Sequence, residues 1–285
     1  MINYLDLKQV KPTLPLTVLL LTYNEEANIE RTLAALKWVP GILVIDSGSS
    51  DRTLEILATE PNVTVHHRPF DSFADQCNFG LNLIKTEWVL SLDADYVVTP
   101  ALVKEICSSF HVAEQMQFAG FAIPFRYCIA GKPLRGTLLP PRICMYRTAG
   151  ARYRNDGHGH RVDVPGKVGR LHNPILHDDR KPLERWLASQ LAYLTIETRK
   201  LQTTPSSQLS IADRLRLKTP LAPLAALVLC LLVNGGILDG WQGWTYALQR
   251  CYAEILLKLM LLETRAIRRD PDPTAFDQLK RLRSP

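Results

Sequence analysis

Short apolar runs alternate with helical patterns along the first hundred or so residues of the chain. Four runs, at 16–22, 42–46, 63–67 and 88–92, are apolar almost throughout and predict strands. Segments with one apolar face follow them and predict helices over 27–36, 52–58, 73–84 and from residue 100 onward. Strands without polar alternation are buried on both faces. The pattern therefore predicts an α/β fold with a mostly parallel sheet flanked by helices.

The pattern changes after residue 118. Residues 118–125 predict another strand, 126–170 are rich in Gly, Pro and Arg and are expected to be irregular, and 171–177 predict a last strand. A helix with Pro182 in its first turn should follow, capped by Asp178 or Asp179. Its expected core face consists of Leu183, Leu187, Leu191, Leu194 and Leu201.

The C-terminal part is apolar in a different way. Residues 219–238 contain no charged side chain, and 245–269 predict a helix with a narrow polar stripe. Basic side chains flank the uncharged segment on both sides: Arg214, Arg216, Lys218, Arg265, Arg268 and Arg269. We favour monotopic or re-entrant attachment to an inner-leaflet membrane surface. Burial against a second copy of the chain or the rest of the protein is an alternative. A membrane span is disfavoured by the two-sided basic flanks.

Composition, net charge and cysteine spacing limit the classes of protein to which this chain can belong. The chain has 285 residues, of which 46% are hydrophobic and 22% charged, values typical of a folded protein. The net charge of +6 suits anionic substrates, nucleic acid or acidic lipid. No basic patch interleaved with aromatic residues is present, so nucleic acid is not an expected partner. The six cysteines are too widely spaced for a metal knuckle, and no signal peptide is evident. We therefore expect free thiols and a cytoplasmic location.

Polar clusters follow each of the four predicted strands, at 22–26, 46–51, 67–75 and 93–95. Ligands of open α/β sheets bind beyond the carboxyl ends of the strands, so these clusters should meet at one edge. The two carboxylates of Asp93 and Asp95 could hold a divalent cation that bridges a diphosphate. Neither Gly-x-Gly-x-x-Gly after the first strand nor Gly-x-x-x-x-Gly-Lys occurs, which argues against dinucleotide dehydrogenases and P-loop NTPases.

Three of these segments together resemble family 2 glycosyltransferases of the GT-A fold. They are Val-Leu-Leu-Leu-Thr-Tyr-Asn-Glu-Glu at 18–26, Val-Ile-Asp-Ser-Gly-Ser-Ser-Asp-Arg-Thr at 44–53 and Leu-Ser-Leu-Asp-Ala-Asp at 90–95. The resemblance extends over residues 16–200 and is closest to the branch that includes lipopolysaccharide-core glycosyltransferases. It implies a catalytic domain over 1–203, with a nucleotide-sugar half at 16–100 and an acceptor half at 118–203. Residues 204–285 would form a helical region near a membrane or an oligomer interface.

The resemblance also implies roles for individual residues. The nucleotide-sugar site would comprise Thr22, Tyr23, Asn24, Glu25, Asp46, Ser47, Gln76, Asn78 and Asp93. Apart from the resemblance, Arg142 lies in the irregular stretch that could fold over this site and is expected to contact the nucleotide sugar. Mg²⁺ or Mn²⁺ would be held by Asp95 together with Asp93 and His177. The cation and nearby basic side chains would neutralise the charge that develops on the leaving diphosphate.

The catalytic base is where the sequence departs from this branch. Relatives commonly carry His-Glu in this region, whereas this chain reads Asn-Asp-Gly-His-Gly-His at 155–160, with Gly159 in place of the glutamate. Asp156 is the expected substitute, and His158 is the next candidate. A carboxylate in a partly desolvated cleft can have its pKa raised toward the working pH.

The sequence thus predicts an inverting, metal-dependent glycosyltransferase. Its donor would be a nucleoside-diphosphate sugar, and its acceptor a lipid-linked glycan of the cell envelope, such as a lipopolysaccharide-type glycolipid. One alternative is a sugar-nucleotide pyrophosphorylase, although residues 22–26 lack the glycine-rich loop of that class. The other alternative is a protein that binds nucleotide sugar without catalysis, which Gly159 leaves open.

Overall fold

A computed structural model describes residues 14–156 and 159–269. It divides into two compact units, one ending at Lys181 and the other beginning at Pro182. The predicted boundary of the catalytic part, after residue 203, stays a prediction about function. The helix that precedes that boundary belongs to the second compact unit.

The first unit contains all the strands of the described residues. They are β1 (Leu16–Thr22), β2 (Gly41–Asp46), β3 (Val63–His67), β4 (Trp88–Asp93), β5 (Tyr96–Val98), β6 (Phe118–Ile123), β7 (Phe125–Ile129), β8 (Lys132–Pro133), β9 (Arg142–Arg147), β10 (Arg152–Asp156), β11 (Gly159–Asp163), β12 (Lys167–Arg170) and β13 (Ile175–His177). Its helices are α1 (Ile29–Ala35), α2 (Thr53–Leu57), α3 (Phe73–Leu83) and α4 (Pro100–Met116).

The main sheet has seven strands in the order β12-β6-β9-β4-β1-β2-β3. The first four strands of the chain are parallel to one another, and β9 is antiparallel to both β4 and β6. The carboxyl ends of β1, β2, β3 and β4 therefore lie at one edge. The predicted fold class is confirmed: a mostly parallel sheet flanked by helices, followed by a helical C-terminal part.

Both faces of the central strands are buried, as their uniform apolarity predicts. Val18 and Leu20 of β1 belong to a core cluster with α1 and α4, whereas Leu19 packs on the opposite face with α3. Successive side chains of a strand point to opposite faces, so β1 supplies both layers. Gly80 lets α3 lie close to β1, because a Cβ at that position would come within 2.4 Å of a methyl carbon of Leu19.

The prediction that 126–170 is irregular is wrong, because strands run through much of it. β9 and β12 belong to the main sheet, β10 and β11 form a separate antiparallel ladder, and β5, β13, β7 and β8 form a four-stranded sheet. The sequence does not reveal these strands because polar and apolar side chains alternate along them and leave no continuous apolar run. In β10, for example, Tyr153 is buried between the exposed side chains of Arg152 and Arg154. We refer to β10 and β11 below as the hairpin.

The second unit is helical over its described residues. Its elements are α5 (Leu183–Thr203), α6 (Ile211–Lys218), α7 (Ala222–Val228), a π-helical turn (Leu229–Val233), a 3-10 turn (Gly236–Asp239) and α8 (Trp241–Arg269). Its core contains Leu194, Leu201, Leu209, Ala253, Leu257 and Leu261. Arg216 of α6 is bound by Glu254 of α8, with Nε 2.9 Å from Oε2, and by Asp213 at 3.0 Å, which ties these two helices together.

Exposed apolar side chains are concentrated in this unit. An almost continuous stripe follows one face of α8: Trp241, Trp244, Leu248, Tyr252, Ile255, Leu259 and Leu262. The predicted core face of α5 is correct only for Leu194 and Leu201, since Leu183, Leu187 and Leu191 are exposed. The helix cap was also predicted wrongly: Pro182 occupies the cap position of α5, and no side chain caps it.

The uncharged residues 219–238 form three short elements rather than one helix. Among the described residues, no helix combines the length and the apolar character needed to cross a bilayer. The six cysteines are all described and all are free thiols, as predicted.

Candidate active site at the carboxyl edge of the sheet

The loops that follow β1 and β2 are joined at the carboxyl edge of the sheet. Thr22 and Asp46 are the last paired residues of the two strands, and both are buried. The Thr22 hydroxyl donates to Asp46 Oδ1 at 3.0 Å, and the Ser47 backbone N–H donates to the Thr22 carbonyl at 3.0 Å. We call residues 22–26 and 46–53 the donor rim.

Asn24 connects the two parts of the donor rim. Its backbone adopts a left-handed conformation with φ of 53°, which asparagine tolerates better than most residues. Its side-chain oxygen accepts a hydrogen bond from the Ser50 N–H at 2.8 Å, and its own N–H donates to the Ser49 hydroxyl at 2.9 Å. The Glu25 N–H donates to the Thr53 hydroxyl at 2.7 Å. Residues predicted from separate motifs thus form one connected rim.

The Asp46 carboxylate accepts four hydrogen bonds inside the donor rim. Oδ1 accepts from the hydroxyls of Thr22 and Ser49, and Oδ2 accepts from the N–H groups of Gly48 and Ser49 at 2.8 and 2.9 Å. Burial alone would raise the pKa of Asp46, but the hydrogen bonds from Ser49, Gly48 and Thr22 lower it below its usual value. Asp46 therefore organises the loop. Its contact with a nucleotide base stays a prediction.

Helix α3 places two of the predicted residues beside the donor rim and the hairpin. The buried amide of Gln76 donates to the Ser47 hydroxyl at 3.1 Å and to the Arg68 carbonyl at 2.9 Å. The Asn78 amide donates to the Tyr153 carbonyl at 3.0 Å and accepts from the Tyr153 N–H at 2.8 Å. Asn78 therefore binds the outer edge of the hairpin, and its predicted contact with nucleotide is untested.

The structure brings Asp95 and His177 together, although 82 residues separate them. His177 ends β13, which pairs with β5 and β7, so its ring lies between Tyr96 and Tyr127 with ring centres 5.1 and 4.6 Å away. His177 Nε2 is 3.0 Å from Asp95 Oδ2. Burial disfavours charge on both groups. The pair nevertheless lowers the pKa of Asp95 and raises that of His177, because each charge stabilises the other.

This pair fits the predicted cation in part. The second carboxylate oxygen of Asp95, Oδ1, is buried and has no hydrogen-bond partner among the described residues. A carboxylate oxygen and an imidazole nitrogen are suitable donors for Mn²⁺, and oxygen suits Mg²⁺. Asp93 is near enough for its charge to raise the pKa of His177. Within 14–156 and 159–269, no three metal-ligating side chains converge as a preformed site.

The residues directly after His177 form an ionic segment that the sequence analysis did not assign to the site. Lys181 Nζ lies 2.5 Å from Glu25 Oε1, and the Asn28 amide donates to both Glu25 and Asp179 at 2.9 Å. Burial raises the pKa of Glu25 to about 7, although Lys181 opposes the shift. The available signal was the charged run 177–181 directly after a strand, the same signature as the other polar clusters.

The hairpin carries the candidate base. Asp156 is half-buried and pairs with Gly159 across the ladder, whereas His158 lies outside the described residues. His160, which the prediction did not include, stacks on Phe73 with ring centres 5.6 Å apart. Burial lowers the pKa of His160, with the nearby charge of Asp93 opposing the shift. His160 lies two residues from the buried Val162 in β11, and this alternation was the signal that it points inward.

Arg142 begins β9 and is exposed. It has no carboxylate partner in the part of the chain that the structure describes, and its charge contributes to the lowered pKa of His160. It therefore remains free to neutralise an anion on the hairpin side of the site. Tyr23, in the donor rim, is also exposed.

Comparison with known proteins identifies the region that builds this edge. The family described as Glycosyl transferase family 2 matches residues 17–146. An uncharacterized glycosyltransferase of Rickettsia bellii is 30% identical over 112 residues, 39% of this chain and 38% of that protein. The lipopolysaccharide core biosynthesis glycosyltransferase LpsC of Rhizobium meliloti is 28% identical over 95 residues, 32% of this chain and 35% of that protein. The chain therefore spans less than two fifths of either relative.

Solved structures show weaker likeness. S. aureus TarS 1-349 in complex with UDP-GlcNAc is 13% identical, with a TM-score of 0.49, over 88% of this chain and 91% of that one. Glucosyl-3-phosphoglycerate synthase from Mycobacterium tuberculosis, in complex with Mn²⁺, UDP and phosphoglyceric acid, is 16% identical, with a TM-score of 0.46, over 67% and 80%. These values are too low to assign a ligand to this chain. The match to Glycosyl transferase family 2 covers residues 17–146, which run from β1 into β9.

Proposed function

We propose that this protein transfers a sugar from a nucleoside-diphosphate sugar to a lipid-linked glycan of the cell envelope, with inversion at the anomeric carbon. One observation carries the proposal. The donor rim and the Asp95–His177 pair lie at the same edge of a family 2 domain, and the pair offers a buried carboxylate oxygen that lacks a partner among the described residues. That oxygen supports a cation site beside a diphosphate.

In this proposal the donor rim holds the nucleoside, with Tyr23 and Asp46 nearest the base. Asp95 and His177, with Asp93, would hold Mg²⁺ or Mn²⁺, which supplies positive charge opposite the leaving diphosphate. Arg142 supplies further positive charge from the hairpin side.

The hairpin supplies the base. The acceptor hydroxyl oxygen forms a bond to the anomeric carbon as the bond from that carbon to the diphosphate oxygen breaks, and the electron pair leaves with the diphosphate. The hydroxyl proton passes to the Asp156 carboxylate, or to His158 in the alternative assignment. Attack from the face opposite the diphosphate inverts the configuration.

The second unit supports a lipid-linked acceptor. The exposed stripe on α8 runs from Trp241 to Leu262, and monomeric soluble proteins rarely expose apolar surface of this extent. A cytoplasmic protein that rests on the inner leaflet would place these side chains among acyl chains. A second copy of the chain covering the stripe is the alternative occupant.

The test is release of nucleoside diphosphate from a panel of nucleotide sugars in the presence of Mn²⁺ and a glycolipid acceptor. We expect acceptor-dependent release from one donor, and loss of that release in Asp95→Asn. Glu114→Gln is the matched control, since its carboxylate is exposed on α4 and outside the site. Binding of the donor without release would instead indicate a binding protein. Pyrophosphate-dependent formation of a nucleoside triphosphate would indicate a pyrophosphorylase. Full activity after removal of metal by EDTA would contradict the cation.

A further inference from the structure

An open cleft of about 580 Å³ lies in the second unit. Its described lining consists of Ser206, Ser207, Arg214, Leu217, Lys218 and Arg265. Three of these side chains are cationic, two carry hydroxyls and none is acidic. We call it the cationic cleft. Its composition is that of a site for an anion with several oxygen atoms.

The basic residues of α6 fall into two groups. Arg216 faces α8, where Glu254 binds its guanidinium, and Asp213 of α6 binds it as well, so its charge is offset. Arg214 and Lys218 lie one turn apart on the cleft side, and neither side chain has a hydrogen-bond or ion-pair partner among the residues that the structure describes. The charges in the cleft are therefore available to a ligand, whereas that of Arg216 is used inside the protein.

The third cation comes from α8. Arg265 donates one N–H to the Leu217 carbonyl at 2.8 Å, which holds its guanidinium at the cleft and leaves its other N–H groups available. Lys258 lies nearby, with Nζ 3.2 Å from the Arg216 carbonyl. Burial and the positive charge of Arg265 lower the pKa of Lys258, which is consistent with positive potential at this position.

An exposed aliphatic side chain precedes each cation of the cleft by three residues. Ile211 precedes Arg214, Leu215 precedes Lys218 and Leu262 precedes Arg265, and their exposed fractions are 72%, 55% and 48%. Residues three apart lie on the same side of a helix, so each cation has an apolar neighbour directed to the same surface. Cations beside exposed aliphatic groups are typical of helices that lie at a lipid–water interface.

We infer that the cationic cleft binds the phosphate of an anionic lipid headgroup while the neighbouring aliphatic side chains enter the acyl region. A free phosphate would account for the cations alone, whereas a lipid accounts for the cations and their exposed apolar neighbours together. The inference rests on the proposed membrane attachment and makes it specific. In this inference the cationic cleft provides the charge-dependent part of membrane binding. The apolar stripe of α8 provides the part that does not depend on charge.

The test compares full-length chains in co-sedimentation with vesicles of phosphatidylcholine and of an equimolar mixture of phosphatidylcholine with phosphatidylglycerol. The variant Arg214→Gln/Lys218→Gln/Arg265→Gln should bind the anionic vesicles roughly 100-fold more weakly, since each cation near such a surface contributes on the order of 1 kcal/mol. The control Lys37→Gln/Lys104→Gln/Arg199→Gln removes equal charge from exposed positions outside the cleft and should lose much less.

Each other outcome is decisive. Equal losses in the two triple variants would overturn the cleft and leave membrane attachment standing. Failure of the unaltered chain to bind either vesicle would overturn attachment and the cleft together, while sugar transfer to a soluble acceptor would be judged separately by nucleotide release. Binding of inorganic phosphate that is lost in the cleft variant, combined with equal vesicle binding by the two triple variants, would assign the cleft to a free anion and overturn the lipid assignment. If the triple variant unfolds, Arg214→Gln/Lys218→Gln tests the same point, because neither side chain has a partner within the described residues.

Discussion

The buried Asp46 carboxylate both accepts hydrogen bonds and carries a negative charge. Replacing it with asparagine or with alanine separates these two roles. Asparagine can keep its oxygen at the position of Oδ2, where it accepts from the N–H groups of Gly48 and Ser49. Its amide then occupies the position of Oδ1, opposite the hydroxyls of Thr22 and Ser49, which can rotate and accept. Alanine offers no acceptor to any of these four donors.

The magnitudes follow from this difference. We expect Asp46→Asn to lower the free energy of unfolding by about 1 kcal/mol, because charged acceptors are replaced by neutral ones. Asp46→Ala should lower it by about 2–4 kcal/mol, because two N–H groups lose their acceptor and Gly48 is exposed enough for water to replace part of the loss. The melting temperature should fall by roughly 2–4 °C for each kcal/mol.

The dependence on pH gives an independent check. The pKa of Asp46 is lower in the folded protein than in the unfolded chain, so its charge stabilises the fold at neutral pH. That contribution is lost as the pH falls through the folded pKa. Urea unfolding at neutral and acidic pH should therefore show a smaller acid-induced loss of stability in Asp46→Asn than in the unaltered protein. An alanine variant as stable as the asparagine variant, or an unchanged acid dependence, would refute this account of the rim.

Three further predictions concern the base, the ionic segment and the C-terminal fold. Asp156→Asn should lower kcat by on the order of 10²–10⁴ with little change in nucleotide affinity, measured by steady-state kinetics and calorimetry. Lys181→Met should raise the pKa of Glu25 above about 7, because the lysine charge opposes the effect of burial, and the pH profile of donor binding should shift to higher pH. Gly243→Ala should destabilise the second unit by more than about 3 kcal/mol in thermal unfolding, because its Cβ would clash with the Gly236 carbonyl oxygen.

Two of these predictions have a matched control variant, and the third has an outcome that would contradict it. Gly41→Ala adds a methyl group where no atom lies within 4 Å, so it should leave stability nearly unchanged. Glu114→Gln removes an exposed carboxylate on α4 and should leave the pH profile of donor binding in place. A kcat for Asp156→Asn within threefold of the unaltered enzyme would move the base to His158 or to another residue.

The sequence predicts the central strands well for a physical reason. Strands β1 and β3 have the predicted limits, and β2 and β4 differ by one residue, because a short, uniformly apolar run that ends in a polar cluster fits a buried strand better than an amphipathic helix. The α5 leucines show the opposite case. Helical spacing predicts that Leu183, Leu187 and Leu191 share a face, but it does not say whether protein, lipid or water covers that face.

The contacts of the candidate site also include some that the sequence predicts and one that it does not. The approach of Thr22 to Asp46 follows from parallel pairing of two predicted strands, and the contact of Asp95 with His177 from the family resemblance. The contact between Lys181 and Glu25 could not be predicted, because 156 residues separate them and no local periodicity links them. Such contacts depend on how β13 returns to β5, which is a property of the whole topology.

The hairpin also has a consequence for how such enzymes can diverge. The chain leaves β9 at Arg147, whose side chain donates to the Phe118 carbonyl, and it returns at Lys167, which pairs with Phe118 in the sheet. Both ends of the intervening segment are thus fixed beside one residue, and segments with adjoining ends tolerate replacement. It contacts α3 through two hydrogen bonds of Asn78 and through the stacking of His160 on Phe73. Residues 148–166 can therefore be exchanged between related proteins as one segment, and under the proposed function such chimeras would test whether this segment sets the acceptor preference.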